Sequence, residues 1–137
     1  MKRIVLGYDA SPAAERALER VIELATIFDA PVVVASIAPV HELVPHGAGT
    51  HADPADPPAL HDRMARDAVA KLTEQGITAR PVIGLGDTSE TLVELTEASE
   101  ADLIVVGMSS RDLFSRLFGG VSDEIAREAR CDVLLVH

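Results

Sequence analysis

Leu103-Ile104-Val105-Val106 is an unbroken apolar run that ends at Gly107, and Gly119-Gly120 stands just before Val121-Ser122, where a helical pattern begins. A fully apolar run that stops at a glycine reads as a strand buried on both faces, the habit of parallel sheets. Glycines after a strand and again before a helix leave backbone N–H groups open near the positive end of that helix. Such a place suits an anion, and the phosphate of a nucleotide is the anion expected here. The bland reading of the same residues is a connecting loop whose glycines only end a strand and let a helix pack closely.

Other chemistry finds less support. No nucleophile is paired with an oriented base, and no spacing specifies a pair of carboxylates, so the expectation is a binding or regulatory protein. His41, His46 and His51, with Asp53, Asp56 and His61, match no compact zinc spacing, and no metal is assigned to them. Cys131 is the single cysteine, which excludes an internal disulfide; before the apolar run Val133–Val136 it reads as a small buried hydrophobe. A Walker-type G-x-x-x-x-G-K-[ST] loop and a G-x-G-x-x-G fingerprint are both missing. The only lysines are Lys2 and Lys71, so a receiver domain, which needs a lysine near its last strand, is excluded.

The elements that would position the glycine segment alternate along the chain. Arg3 to Tyr8 reads as a first strand with Asp9 beyond its carboxyl end, and Ser11-Pro12 starts a helix as N-cap and first helical residue. Ala14, Ala17, Leu18, Val21, Leu24, Ala25 and Phe28 form its apolar face. Val32 to Ile37 is a second strand. Residues Ala38 to Pro58 hold five of the eight prolines and three of the five histidines without any period, which predicts a long loop. A helix from about Ala59 to Gln75 carries the stripe Leu60, Met64, Ala68 and Leu72 and stops at Gly76. Arg80–Ile83 is a third strand. Asp87 and Glu90 fit a capping pattern ahead of a helix that faces Leu92, Leu95 and Ala98 inward. After the fourth strand and the glycine segment come a helix from about Ser122 to Ala129 and a last strand, Val133–Val136. This order predicts an α/β fold, a doubly wound and mainly parallel sheet with helices on both faces.

Composition narrows the partners. At 137 residues and 47% apolar, the chain has enough for one globular domain with an aliphatic core. Twenty-two acidic against 12 basic residues give a net charge of -10. That argues against nucleic acid and against an anionic membrane surface. With no Trp and one Tyr, base stacking is nearly unavailable, and Leu113, Phe114, Leu117 and Phe118 read as a packed edge or partner surface. The N-terminus is strand-like, and no segment approaches membrane-spanning length, so a cytoplasmic protein is expected.

Taken in order, these residues resemble the universal stress protein family. The resemblance spans nearly the whole chain: Tyr8-Asp9-Ala10-Ser11, the buried second strand, Gly86-Asp87, Ala101 through Gly107, Val121-Ser122-Asp123-Glu124, and Cys131 through Val136. It implies one domain over residues 1–137, Rossmann-like and adenine nucleotide alpha-hydrolase-like, with five parallel strands in the order 3-2-1-4-5. It also implies a stress-response regulator that binds ATP or a related adenine nucleotide, with or without Mg²⁺. Given that order, the ligand crevice lies between the first and fourth strands, with Asp9 and Gly107 facing each other across it.

By resemblance Asp9 approaches the adenosine and Ile37 offers backbone atoms to the adenine, while Gly107, Ser110, Gly119, Gly120 and Val121 line the phosphates. Arg111 would add a positive charge, and Ser109 or Ser122 a hydroxyl. ATP-binding members of the family carry glycine, two residues, glycine, nine residues, then Gly-Ser or Gly-Thr. Here Ser110 holds the second glycine position, eight residues separate it from Gly119, and Gly120 replaces the hydroxyl residue. A Gly107→Val variant would be expected to lose nucleotide and keep its fold. The last strand, apolar and at the sheet edge in that order, implies a homodimer formed through it. The alternative reading is a dimeric interaction module of the same fold that binds no nucleotide.

Overall fold

The computed structural model describes residues 1–42, 50–109 and 120–137, with only the backbone described at 41, 42 and 50. The elements in chain order are β1 (Ile4–Gly7), α1 (Pro12–Phe28), β2 (Val32–Ala38), β3 (Val40–Glu42), β4 (Thr50–Ala52), α2 (Pro58–Glu74), β5 (Ala79–Leu85), α3 (Thr88–Ala98), β6 (Leu103–Gly107), α4 (Val121–Glu128) and β7 (Asp132–Val136). Five strands form one sheet in the order β5-β2-β1-β6-β7, with every neighbouring pair parallel. Counting only those five, this is the third, second, first, fourth and fifth strand. The detail that differs lies in the segment expected to be a loop. There β3 and β4 pair antiparallel as a separate ribbon, with His41 opposite His51. Short strands with neither hydrophobic alternation nor a core face leave no periodic signal to read.

The alternation of apolar faces builds two cores. On one side of the sheet Ile4, Leu6, Val32, Val34 and Val105 pack against Ala17, Leu18 and Val21 of α1 and Ala65, Ala68 and Leu72 of α2. On the other, Val5, Val33, Ala35, Ile104 and Val106 meet Leu92 of α3 and Ile125 of α4. Every residue of β2 is buried, as expected of a strand covered on both faces.

The helices differ from expectation in which residues they turn inward. Phe28 ends α1 and is 49% exposed. In α3 it is Ser89, Leu92 and Thr96 that are buried, while Ala98 is exposed. In α2 Ala68 and Leu72 are buried as expected and Met64 packs partly buried against the core, while the fully buried stripe is completed by His61 and Ala65. The alanines let α2 lie close to the sheet, and that choice carries a histidine into the core. Gly76, at φ 77°, is the left-handed residue that ends α2. Cys131 is half-buried beside the second core, and its thiol is pushed up by burial and by Asp132 and Asp102.

Candidate functional site

The site begins with a difference in strand length. β1 last pairs with β2 at Gly7↔Ala35, and Tyr8 still donates its N–H to the Ala35 carbonyl at 2.9 Å. β2 then runs on to Ala38, and β6 runs to Gly107, two residues past Val105, the last of its residues paired with β1, opposite Leu6. A notch is left above the end of β1, walled by β2 and β6. Parallel strands point alternate residues to alternate sides, so the main-chain groups of Ile37 face the same way as those of Ala35. At Ile37 that side has no strand left beside it.

The notch opens into a cleft of about 550 Å³, within the range of small-ligand sites. Its walls include Gly7, Tyr8, Asp9 and Ser11 from the end of β1 and its turn, Ile37 of β2 and Pro39 just after it, Asp56 and His61 before and within α2, Gly107 at the end of β6 and Ser109 after it, and Val121, Ser122 and Ile125 from α4. Of the residues expected to bind, Asp9, Ile37, Gly107, Val121 and Ser122 therefore line one space. Gly120 is adjacent, as N-cap of α4. Ser110, Arg111 and Gly119, with the apolar residues 113–118, lie outside the described residues.

Each wall has its own local cause. Ser11 caps α1, accepting from the Ala14 N–H at 3.1 Å, and Asp9 accepts from the Ser11 N–H at 3.0 Å, so the turn after β1 is held by its own side chains. Between them Ala10 sits at φ 61°, a left-handed conformation that costs an alanine about 1 kcal/mol. Tyr8 donates its hydroxyl proton to Glu15, which also pairs with Lys71 at 3.0 Å. Burial and that carboxylate push the Tyr8 phenol far above its ordinary value, and the bond from Tyr8, with Lys71, holds the Glu15 carboxyl low.

Gly107 has a role the sequence does not reveal. A Cβ there would lie 2.1 Å from the Ala13 carbonyl oxygen and 2.9 Å from the Ala14 nitrogen. The absence of a side chain is thus what lets α1 cross the end of β6. Gly107→Val, expected to spare the fold, would drive a side chain into α1 backbone.

At the α4 end, donors are left open. Gly120 provides no side-chain cap, so among the described residues no capping side chain satisfies the first-turn N–H groups of α4. Ser122, only 4% exposed, lines the cleft, and its hydroxyl has no hydrogen-bond partner among the described residues. Asp123 and Glu124 share the same first turn and favour the helix dipole from outside. Among the described lining residues there is no lysine or arginine.

The base of the cleft holds a feature that the sequence did not bring together. Ser36 Oγ lies 2.6 Å from His61 Nδ1, and His61 Nε2 lies 2.7 Å from Asp56 Oδ1. Ser36 is 1% and His61 4% exposed. In the sequence Asp56 and His61 stand together, but Ser36 is 25 residues away from His61. Among the described residues no group of three potential ligands converges as a metal site.

A twisted parallel sheet with two helices on each face and a crevice at the carboxyl ends, where strand order reverses, defines a doubly wound α/β protein with a ligand site at its switch point. The chain belongs to the universal stress protein family, whose model matches residues 1–137. It is 33% identical over 147 residues to a universal stress protein of Mycobacterium tuberculosis strain H37Rv, covering 99% of this chain and 96% of the relative. Among solved structures, a universal stress protein in complex with cAMP superposes with a TM-score of 0.75 at 27% identity, covering 99% of this chain and 96% of that one. The Archaeoglobus fulgidus protein in complex with dAMP gives a TM-score of 0.71 at 21% identity, covering 100% and 98%, a likeness of fold. No helix among the described residues is long and apolar enough to cross a membrane.

Proposed function

We propose that this universal stress protein is a regulator that holds an adenine nucleotide, ATP or a relative, in the cleft above β1. The base lies against the main chain of Ile37, the ribose at Asp9, and the phosphates at the N-terminus of α4, with Gly107, Gly120, Val121 and Ser122 around them. The resemblance adds Ser110, Arg111 and Gly119 to the phosphate side. One observation carries the reading: Ser122, a residue only 4% exposed, has a hydroxyl with no partner among the described residues and lines a 550 Å³ cleft at a helix N-terminus without a side-chain cap. Backbone N–H groups at such a terminus favour an anion. The cAMP complex of the 27% identical neighbour supports an adenine nucleotide as the occupant.

Because the described walls carry carboxylates and no cation, a polyphosphate is better met with Mg²⁺ than without it. Calorimetric titration with ATP, with and without Mg²⁺, tests this: a saturable heat strengthened by the metal is expected. No heat and no thermal shift at millimolar nucleotide would overturn it and leave the dimeric interaction module. We also infer a homodimer. Among the described residues β7 pairs only with β6, and its central residues Val133, Leu134 and Leu135 are only half-buried, an edge that pairing with a second copy would cover. Light scattering should give twice the 14.5 kDa chain mass, and a monomer would exclude it. A nucleotide-holding regulator of this kind belongs in the cytoplasm, where ATP is abundant.

A further inference from the structure

Asp56 and His61 line the same cleft as Ile37, Pro39 and the first residues of α4, and His61 is tied to β2 through Ser36. The hydrogen bonds define how they are held. A carboxylate only accepts, so the proton between His61 Nε2 and Asp56 Oδ1 belongs to the imidazole. In the neutral ring Nδ1 is then an acceptor, and the buried Ser36 hydroxyl donates to it across 2.6 Å. The imidazole is fixed at both nitrogens, and it fixes one oxygen of Asp56. The other oxygen, Oδ2, has no partner among the described residues, and the side chain is 39% exposed. A carboxylate oriented from one side and open on the other is a directional acceptor within the cleft.

We propose that Asp56, positioned by Ser36 and His61, accepts a hydrogen bond from the exocyclic amino group of the bound base and selects a 6-aminopurine over a 6-oxopurine. This inference rests on the nucleotide reading above. Distance supports the placement: β2 and β6 are two strand spacings apart, about 10 Å. A nucleoside monophosphate with its phosphate at the α4 terminus therefore carries its base to the β2 wall. An amino group on C6 donates to Asp56. A carbonyl at C6 presents a second acceptor to the carboxylate, which repels it. Main-chain groups of Ile37 also read the base edge, so discrimination in the native protein alone does not isolate Asp56. The change of preference in a variant does.

The test is titration of AMP and of inosine monophosphate into the full chain and into Asp56→Asn, with melting curves to confirm folding. The native protein should prefer AMP. Asp56→Asn, whose amide can also donate, should lose about tenfold in AMP affinity and bring inosine monophosphate to parity or above. Ser36→Ala should narrow the AMP preference without inverting it, because it loosens the ring and leaves the carboxylate. An AMP-to-inosine ratio that is the same in native protein and Asp56→Asn overturns the role of Asp56 and leaves nucleotide binding standing. Native protein that binds neither nucleotide overturns both.

Discussion

The two ends of the cleft are built on opposite principles. At the β2 end polar side chains are joined in a chain, Ser36 to His61 to Asp56, with both imidazole nitrogens engaged. At the α4 end the helix opens on a glycine with no cap, and the Ser122 hydroxyl is left without a partner. The other helices at this end of the sheet sharpen the contrast. α1 is closed by Ser11, and α3 by Asp87, which accepts from the Glu90 N–H at 3.1 Å, while α2 begins after Pro57 without a side-chain cap but with a proline in its first turn, which has no N–H to leave open. A terminus satisfied by its own side chain has little left to offer a ligand, whereas an uncapped one keeps its donors for whatever anion arrives. One end of the cleft is organised before anything binds, and the other is completed by binding.

The strongest way to break this comparison is at Gly107, which joins the two ends through the crossing of α1. Gly107→Ala places a methyl 2.1 Å from the Ala13 carbonyl oxygen and should destabilise the protein by about 3 kcal/mol or more in urea unfolding. A near-neutral result would mean that α1 can move aside and that the glycine is there for ligand alone. Next, Ser36→Ala should cost about 1–3 kcal/mol, because it strands a buried imidazole nitrogen. An unchanged midpoint would show the network to be dispensable.

The third test sets two serines against each other. Ser11→Ala removes a cap and should cost about 1 kcal/mol of stability. Ser122→Ala should leave the midpoint unmoved while weakening nucleotide binding by roughly 0.5–1.5 kcal/mol. The reverse pattern would make Ser122 a structural cap and remove the main support for a phosphate there. The smallest effect is at Ala10. Replacing it by glycine at φ 61° should stabilise by up to about 1 kcal/mol, readable as a rise in melting temperature. A fall would mean that the methyl group packs in a way that outweighs the strain.

Much of this is legible along the chain because it is periodic or local. The strands announce themselves as apolar runs, and the caps Ser11 and Asp87 as a hydroxyl or carboxylate just before an amphipathic stretch. Asp9, Gly107 and Ser122 could be named because each sits at the end of such an element, and Ile37 through the family resemblance. The β3–β4 ribbon was not legible, since two three-residue strands leave no pattern. Of the buried face of α2 only part was: Ala68 and Leu72 were legible, but hydrophobicity favours Leu60 and Met64 at the start of the helix, where the structure buries His61 and Ala65 more deeply. That one-position rotation hid the histidine, because a polar residue joins a core stripe only when a partner awaits it, and the partner, Ser36, lies on another strand.

What the amino-acid order determined by itself is the succession of elements, the aliphatic character of the core, the acidic surface and the residues standing at strand ends. These depend on contacts within a few turns or on composition, so short-range physics decides them. The tertiary structure alone decided that β1 stops short of β2 and β6, that α1 crosses so close to β6 that residue 107 must lack a side chain, and that Ser36 meets His61. Each of these is a meeting of groups far apart in the chain, set by how twisted strands and packed helices come to rest against one another.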